Sequence, residues 1–387
     1  MSIGSAFLQG AQIVVIGAGA VGSVVAYRLA QTGATVTIVE SRYPGAGTSG
    51  NTFAWLNAFS KEPRHYHRLN AGSIREHQDL VRELDGDWVH IGGGLTWVYH
   101  DDESGTRKLR DRVRQLHQWG YRIEILTPEQ AMRDLEPDLF IDPDRVEEVV
   151  YAPIEGWLNG VGLCHTAASS AVRRYGARIV RDEVAGFSTR YGIIDGVTLA
   201  SGETLPADTV INAAGPTADR IAGFAGIELP ITQQPGFLVV TEPAPINLKT
   251  IVHSPEIFMH GDGGWRVLLQ GEGFDAMAEH NVDLNHPFPW KAVENATKIA
   301  PTLRGIKPEG TRIGVRPMPK DGLPIIGFDS EVPGLYHTVM HSGITLAATV
   351  GRLVTEDFLG AEPPELEPYR PERFGAQSTE GVQVTGE

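Results

Sequence analysis

The 387-residue chain is long enough for two domains, and its 41% hydrophobic content is ordinary for a soluble globular protein. Its formal net charge of −15 would repel a polyanion, which argues against nucleic-acid binding. The only cysteine, Cys164, excludes an intrachain disulfide and any metal site built from several thiolates.

The chain opens with the pattern of a dinucleotide-binding unit. Residues 12–16 are rich in β-branched side chains and carry no charge, which predicts a buried parallel strand. The next segment, Gly17–Gly22, fits GxGxxG and leads into apolar residues at helical spacing. Residues 34–39 predict a second strand, and Glu40 ends it.

Each part of this pattern has a physical task. Gly17 permits a tight turn, Gly19 lets the backbone approach a pyrophosphate, and Gly22 lets the helix pack closely on the strand. The N-terminus of the helix offers free N–H groups and a partial positive charge to phosphates. Glu40, 18 residues after Gly22, is placed to accept hydrogen bonds from an adenosine ribose, and it disfavours NADP. The motif does not separate FAD from NAD, and a glycine turn that serves only packing is the alternative.

The next part of the chain departs from a simple NAD-binding unit. Residues 41–60 are rich in Gly, Thr, Ser and Asn, which suits a backbone that wraps around a large planar ligand. An ordinary surface loop is the alternative, but "FAWLNA" within this segment is too apolar for a solvated loop. Helices are predicted at 66–84 and 104–136, with strands between them at 86–100. No nucleotide motif occurs there, so this piece is expected to leave the cofactor domain.

The second half alternates between strand-rich and helical segments. After a turn, a helix and a strand, short strands with glycine turns predict a meander that ends in the apolar strand 209–211. Residues 227–275 are strand-rich and aromatic, and would either cover a substrate pocket or fill the core of a sheet. A helix is predicted at 288–300, a strand at 336–340 and a last helix at 345–358.

Several separated segments together resemble the D-amino-acid oxidase superfamily of FAD-dependent oxidoreductases. The resemblance spans residues 12 to 360 and is strongest to the branch of glycine oxidase, sarcosine oxidase and D-amino-acid dehydrogenase. The segments that carry it are Gly17–Gly22, Glu40, the small-residue loop Gly45–Asn51, the "NAAG" segment Asn212–Gly215, the "G-x-RP-x-x-x-DG-x-P-x-IG" element Gly314–Gly327, and "HSGITLAATVGRL" at 341–353.

The resemblance implies an α/β fold in which a Rossmann-like FAD-binding domain with a parallel sheet is interleaved with an α+β substrate domain with a mixed sheet. The FAD-binding domain is assigned residues 1–85, 151–220 and 312–362. The substrate domain is assigned 86–150 and 221–311. Residues 363–387 are expected to form an extended or disordered tail.

FAD is the cofactor that the resemblance implies. It is expected to be non-covalent, because the cysteine that attaches flavin in some sarcosine oxidases is absent near Gly314, and Cys164 lies elsewhere. The residues expected to bind FAD are Gly17, Gly19, Ala20, Val21, Gly22, Glu40, Ser41, Arg42, Thr48, Ser49, Asn51, Val184, Ala214, Gly215, Gly343, Ile344 and Thr345.

In this family an amino acid passes its Cα hydrogen to flavin N5 as hydride, and the resulting imine is hydrolysed to an oxo acid and an amine or ammonia. Arg316 corresponds to an arginine that holds the substrate carboxylate, as a planar guanidinium can do with two hydrogen bonds. Pairing with an acid such as Asp321 is the alternative. His341 would line the same pocket or serve only structure. The scattered histidines show no metal-ligand spacing, and no Ser-His-Asp arrangement is needed.

Two departures from the family bear on the substrate and the oxidant. The stretch "WRVLLQGEG" offers Arg266 where some members place an oxygen-activating lysine. The electron acceptor can therefore be oxygen or another compound. Ser342 and Gly343 replace a second arginine of glycine oxidase, which implies a wider pocket and suggests N-carboxymethyl secondary amines.

The expected partners are a small amino acid or secondary amine and the electron acceptor. A flavin monooxygenase, a non-catalytic flavoprotein subunit of a larger dehydrogenase and a plain NAD dehydrogenase are the rival functions. The start of the chain lacks the features of a signal peptide, and no apolar run reaches the length of a membrane span. We therefore expect a cytoplasmic enzyme, with its oligomeric state open.

Overall fold

The computed structural model describes residues 8–280 and 282–375. The helices among these residues are α1 (Ala20–Gln31), α2 (Arg64–Leu84), α3 (Glu103–Gln118), α4 (Pro128–Asp134), α5 (Gly160–Tyr175), α6 (Ala218–Gly223), α7 (Phe274–Met277), α8 (Pro287–Ile299) and α9 (Gly343–Phe358). The strands are β1 (Gln12–Ile16), β2 (Thr35–Val39), β3 (Trp55–Leu56), β4 (Val89–Ile91), β5 (Gly94–Thr96), β6 (Glu124–Leu126), β7 (Val149–Ala152), β8 (Gly156–Leu158), β9 (Arg178–Val180), β10 (Val184–Arg190), β11 (Ile193–Leu199), β12 (Thr204–Pro206), β13 (Thr209–Asn212), β14 (Ile231–Thr241), β15 (Ile251–His253), β16 (Phe258–Gly261), β17 (Val267–Gln270), β18 (Pro308–Pro319), β19 (Ile325–Phe328) and β20 (Leu335–Val339).

A six-stranded sheet has the order β19-β20-β13-β1-β2-β9, and all of its strands are parallel except β19. Side chains alternate across the buried strand β1. Ile13 and Val15 pack in one cluster with residues of α1, α5 and α9, whereas Val14 and Ile16 pack in another with the antiparallel meander β10-β11-β12. The sheet is therefore covered on both faces, as the uncharged sequence of β1 predicts.

A second, eight-stranded sheet is mixed and has the order β18-β14-β17-β16-β15-β5-β7-β6. The long strands β14 and β18 pair antiparallel from Ile231 with Pro319 to Thr241 with Pro308. The amphipathic helix α8 buries Val293 and Ala296 in the same cluster as Phe237 of β14. The predicted α/β class, with one parallel and one mixed sheet, is confirmed.

The division of the chain into two discontinuous domains stays a proposal. The strands of the parallel sheet come from three separated parts of the chain, in keeping with that proposal. If domains are defined by sheets, however, residues 312–319 belong with the mixed sheet, because they form the second half of β18.

The predicted helical stretch 104–136 is wrong in its continuity. Helix α3 ends at Gln118, and Gly120 follows with a φ of +76°, a conformation that turns the chain out of the helix. Helix α4 then begins anew at Pro128, with Thr127 and Gln130 forming a reciprocal capping box.

The predicted extended or disordered tail is corrected for the part that the structure describes. Residues 364–369 and 371–374 form two short 3-10 helices. Leu366 and Tyr369 are buried in the cluster that contains α1 and α9, and Arg370 donates to Asp357 at 2.6 and 2.7 Å. These apolar and paired side chains hold the segment against the fold. Residues 376–387 lie outside the described residues.

Within residues 8–280 and 282–375, no helix combines the length and apolar character that crossing a membrane requires.

Candidate active site

The glycine motif forms a turn with no room for side chains. Gly17 follows β1 with a φ of +98°, and a Cβ there would lie 2.7 Å from the carbonyl oxygen of Ala213. A Cβ on Gly22 would lie 2.2 Å from the carbonyl oxygen of Gly17. Helix α1 begins immediately after Gly19, which offers no side chain to cap its N–H groups. This is the close-packed helix start that a pyrophosphate requires.

Glu40 is fixed at the carboxyl end of β2. One carboxylate oxygen accepts a hydrogen bond from the backbone N–H of Ala18 at 3.0 Å, and the other accepts one from the N–H of Arg42 at 2.9 Å. Each oxygen keeps capacity for a further bond, such as one from a ribose hydroxyl. Arg42 in turn donates to the carbonyl of Ala46 at 2.8 Å, which ties the following loop to this corner.

The small-residue loop connects the glycine turn to the mixed sheet. The Ala20 N–H donates to Ser49 Oγ at 2.9 Å, and Asn51 Nδ2 donates to the carbonyl of Gly47 at 2.9 Å. On the other side, Thr48 Oγ1 donates to the carbonyl of Val315 in β18. A Cβ on Gly314 would lie 2.0 Å from the carbonyl oxygen of Asn51, so β18 can approach the loop this closely only with glycine there.

A cleft of about 310 Å³ lies between these elements and the N-terminus of α9. It brings together the glycine turn, the loop, β18 and the segment after β13. The predicted residues that line the cleft are Gly19, Ala20, Val21, Thr48, Ser49, Asn51, Gly215, Arg316, His341, Gly343, Ile344 and Thr345.

The other predicted residues do not line the cleft. Gly17 and Gly22 lie inside the turn, whereas Glu40, Ser41 and Arg42 lie at the end of β2. Ala214 precedes Gly215 in the loop after β13. Val184 is buried at the start of β10, in one cluster with Val39. The roles of these residues toward FAD stay predictions.

Arg316 projects from β18 toward the cleft and pairs with Asp275 of α7. The alternative partner, Asp321, pairs instead with Arg373 at 2.7 Å. The Nε and Nη2 atoms of Arg316 also lie 3.4 and 3.3 Å from the carbonyl oxygens of Gln234 and Pro235. Its Nη1 atom has no hydrogen-bond partner among the described residues, so the N–H groups of this nitrogen remain available.

His341 shares the cleft with two cations, Lys61 and Arg316. Burial, together with the smaller effect of the positive charges of Lys61 and Arg316, lowers its pKa to about 3. The imidazole is therefore neutral at physiological pH. Its Nδ1 lies 3.4 Å from Ser342 Oγ at the start of α9.

Two charged residues were not predicted from the sequence. Lys61 directly follows the segment 41–60 and lines the cleft, and burial lowers its pKa to about 8. Glu155 is completely buried and accepts four hydrogen bonds, from Trp55 Nε1 at 3.0 Å, Ala58 N at 2.8 Å, Phe59 N at 2.6 Å and Tyr121 OH at 2.8 Å. The apolar "FAWLNA" segment is the sequence feature that could have drawn attention to both residues, because Glu155 accepts hydrogen bonds from it and Lys61 follows it.

The residues present fit a flavin dinucleotide. The turn excludes side chains where a pyrophosphate approaches, and the first residues of two helices, α1 and α9, line the same cleft. No Asp or Glu occurs among the described residues that line it, so the negative charge of the cofactor meets no carboxylate that would repel it. Cys164 is buried within α5, and burial raises the pKa of its thiol to about 12, in keeping with the prediction of non-covalent attachment.

The chain belongs to the DAO family of FAD-dependent oxidoreductases, whose family model matches residues 12–357. FAD is therefore its cofactor. One relative, a subunit of opine oxidase from Agrobacterium tumefaciens, is 24% identical over 381 residues, which cover 94% of this chain and 97% of the relative. Two crystal structures share the fold. Glycine oxidase from Geobacillus kaustophilus has a TM-score of 0.80 and 21% identity, and iminodiacetate oxidase from Chelativorans sp. BNC1 has a TM-score of 0.77 and 24% identity. Each comparison covers 93% of this chain and 98% of the other.

Gly22→Ala is expected to weaken FAD binding by about 10- to 100-fold, because the new Cβ must displace the backbone of Gly17. Gly72→Ala in α2 is the matched control, since a Cβ there meets nothing within 4 Å. The control is expected to retain full FAD binding and to gain slightly in helix stability. Fluorescence titration of the apoprotein with FAD measures both. Equal affinity in the two variants would contradict the assignment of the turn.

Proposed function

We propose that the protein oxidises an amino acid or an N-substituted glycine at Cα, with glycine oxidase-like chemistry. The Cα–H bond breaks with its electron pair, the substrate nitrogen loses a proton, and an imine forms. Water hydrolyses the imine to an oxo acid and an amine or ammonia. Bound FAD supplies the acceptor for the hydride at flavin N5. Oxygen, with formation of H₂O₂, or another acceptor takes up the two electrons in the second half of the cycle.

The observation that carries this proposal is the position of Arg316, which lines the same cleft as the glycine turn and the small-residue loop. Residues two apart in a strand point to the same face, so Gly314 and Arg316 share one face of β18. Gly314 contacts Asn51 of the small-residue loop. The unoccupied Nη1 atom of the guanidinium can therefore donate to a substrate carboxylate next to the cofactor. Fixing that carboxylate orients the neighbouring Cα of an amino acid toward the bound cofactor.

His341 complements this anchor because it is neutral. A protonated imidazole would repel a positively charged amine, whereas a neutral ring can accept a hydrogen bond from the substrate N–H. Apolar and aromatic neighbours such as Phe53, Trp55 and Leu238 line the same cleft and exclude water from the reacting carbon.

The relatives are consistent with this substrate class. Three of them are named for the oxidation of opine, glycine and iminodiacetate, and the latter two compounds are amines that carry carboxylates. The opine oxidase relative is named as one subunit of its enzyme, which supports a second candidate, in which this chain works as one flavoprotein subunit of an assembly.

An anaerobic titration tests the proposal. The purified holoprotein is mixed with D-amino acids, glycine, sarcosine and N-carboxymethyl amines, and the visible absorption band of oxidised flavin is followed. Loss of the band with one class is the expected result, and admission of air then separates an oxidase from a dehydrogenase. If NADPH but no amine bleaches the flavin, the proposal is wrong and a monooxygenase is favoured. If nothing bleaches it, the second candidate, a flavoprotein subunit of an assembly, is favoured.

A further inference from the structure

Lys61 is a cation in the cleft without a counter-ion. Its side chain is partly buried and lines the cleft together with Arg316 and His341. Among the described residues, no carboxylate oxygen lies within 4.0 Å of its ammonium, and its Nζ donates no hydrogen bond. By contrast, Arg316 already has Asp275 as a partner.

Glu155 does not neutralise Lys61. Its negative charge raises the pKa of Lys61, but the loss of solvent around the ammonium outweighs this and lowers the pKa overall. The carboxylate of Glu155 is also occupied by four donors from the surrounding segment. An ammonium partly withdrawn from water and without a partner is unfavourable, and an anion that entered the cleft would relieve that cost.

The cleft as a whole carries an unusual charge for this protein. Lys61 and Arg316 place two cations in it, of which only Arg316 has an acidic partner, Asp275. His341 is neutral, and no Asp or Glu occurs among the described lining residues, although the chain has a net charge of −15. One substrate carboxylate on Arg316 would leave the second cation unmatched.

We propose that the substrate carries two carboxylates and that Lys61 binds the second while Arg316 binds the first. The inference rests on the proposed amine oxidation and narrows its substrate to secondary amines of the N-(carboxyalkyl) amino acid class. The two cations suit different tasks. The planar guanidinium fixes one carboxylate in orientation at the reacting end, whereas the flexible lysine stem tolerates different distances to the other. Lys61 is then a specificity-determining residue.

Two thioethers test the inference without turnover. Thiodiacetate carries two carboxylates and (methylthio)acetate carries one, and neither has an amine to oxidise. Calorimetric titration of the FAD-loaded protein is expected to show about 10- to 100-fold tighter binding of thiodiacetate. Lys61→Met should remove this preference because it weakens the binding of thiodiacetate much more than that of (methylthio)acetate, whereas Lys61→Arg should keep most of it. Lys291→Met, an exposed lysine of α8 away from the cleft, makes the same change in net charge and should have no effect.

The outcomes separate this inference from the proposed function. Equal binding of the two thioethers by the unmodified protein overturns the inference, and so does a Lys61→Met variant that keeps the preference. A variant that binds both thioethers normally but whose reduced flavin reacts more slowly with oxygen also overturns it, because Lys61 would then serve the electron acceptor. Amine oxidation is scored independently by anaerobic flavin reduction of the unmodified protein with sarcosine, which has one carboxylate.

Discussion

Arg316→Met is expected to lower kcat/KM for the amine substrate by about 10²- to 10³-fold, with little change in folding. The variant loses the hydrogen bonds and the charge that hold the substrate carboxylate, and the loss of a buried charged contact of this kind amounts to about 3–4 kcal/mol. Asp275, left without its partner, is more than one-third exposed and can be solvated by water. Steady-state kinetics and thermal unfolding of the holoprotein measure the two effects separately.

Arg316→Lys separates charge from geometry. An ammonium keeps the positive charge but not the fixed planar geometry of the Nη1 donors, so we expect about a tenfold loss rather than a hundredfold one. Arg373→Met is the matched control, because it breaks a similar arginine–aspartate pair with Asp321 outside the cleft. If the control loses as much kcat/KM as Arg316→Met, the assignment of Arg316 as the substrate anchor is wrong.

The parts of the fold that follow from local sequence were predicted well. β1, the glycine turn and α1 are contiguous, so strand pattern, turn residues and helical spacing are all readable within residues 12–31. Helix α9 was predicted from residue 345, and the structure begins it at Gly343. The break between α3 and α4 was missed although Gly120 marks it, since the flanking charged residues suit a helix on either side.

The charged contacts of the cleft depend on distant parts of the chain. Arg316 was predicted to reach the cleft from its resemblance to a family motif, but its partner Asp275 is 41 residues away and is brought near by the packing of α7 against β14. Glu155 is about 100 residues from the segment that it anchors. Lys61 belongs to no sequence motif, and only the three-dimensional structure shows that it lines the same cleft as Arg316.

Glu155→Ala is expected to lower the free energy of unfolding by about 3–5 kcal/mol, because it removes the acceptor of four buried hydrogen bonds. Burial raises the pKa of this carboxyl group, and the four donors oppose this shift without cancelling it. The substitution frees the segment that carries Trp55 and precedes Lys61. Chemical denaturation of the apoprotein measures the loss of stability, and FAD binding should weaken as well.

A double-mutant cycle tests the hydrogen bond between Glu155 and Trp55. In Glu155→Gln the side-chain oxygen can replace Oε1, which accepts from Ala58, Phe59 and Tyr121, but the amide nitrogen then faces the Trp55 N–H. The single variant is expected to lose about 1–3 kcal/mol. Adding Trp55→Phe removes the opposing donor, so the double variant should be more stable than the sum of the two single changes predicts. Strict additivity would show that the contact between Trp55 and Glu155 contributes nothing to stability, because two side chains in direct contact are expected to couple.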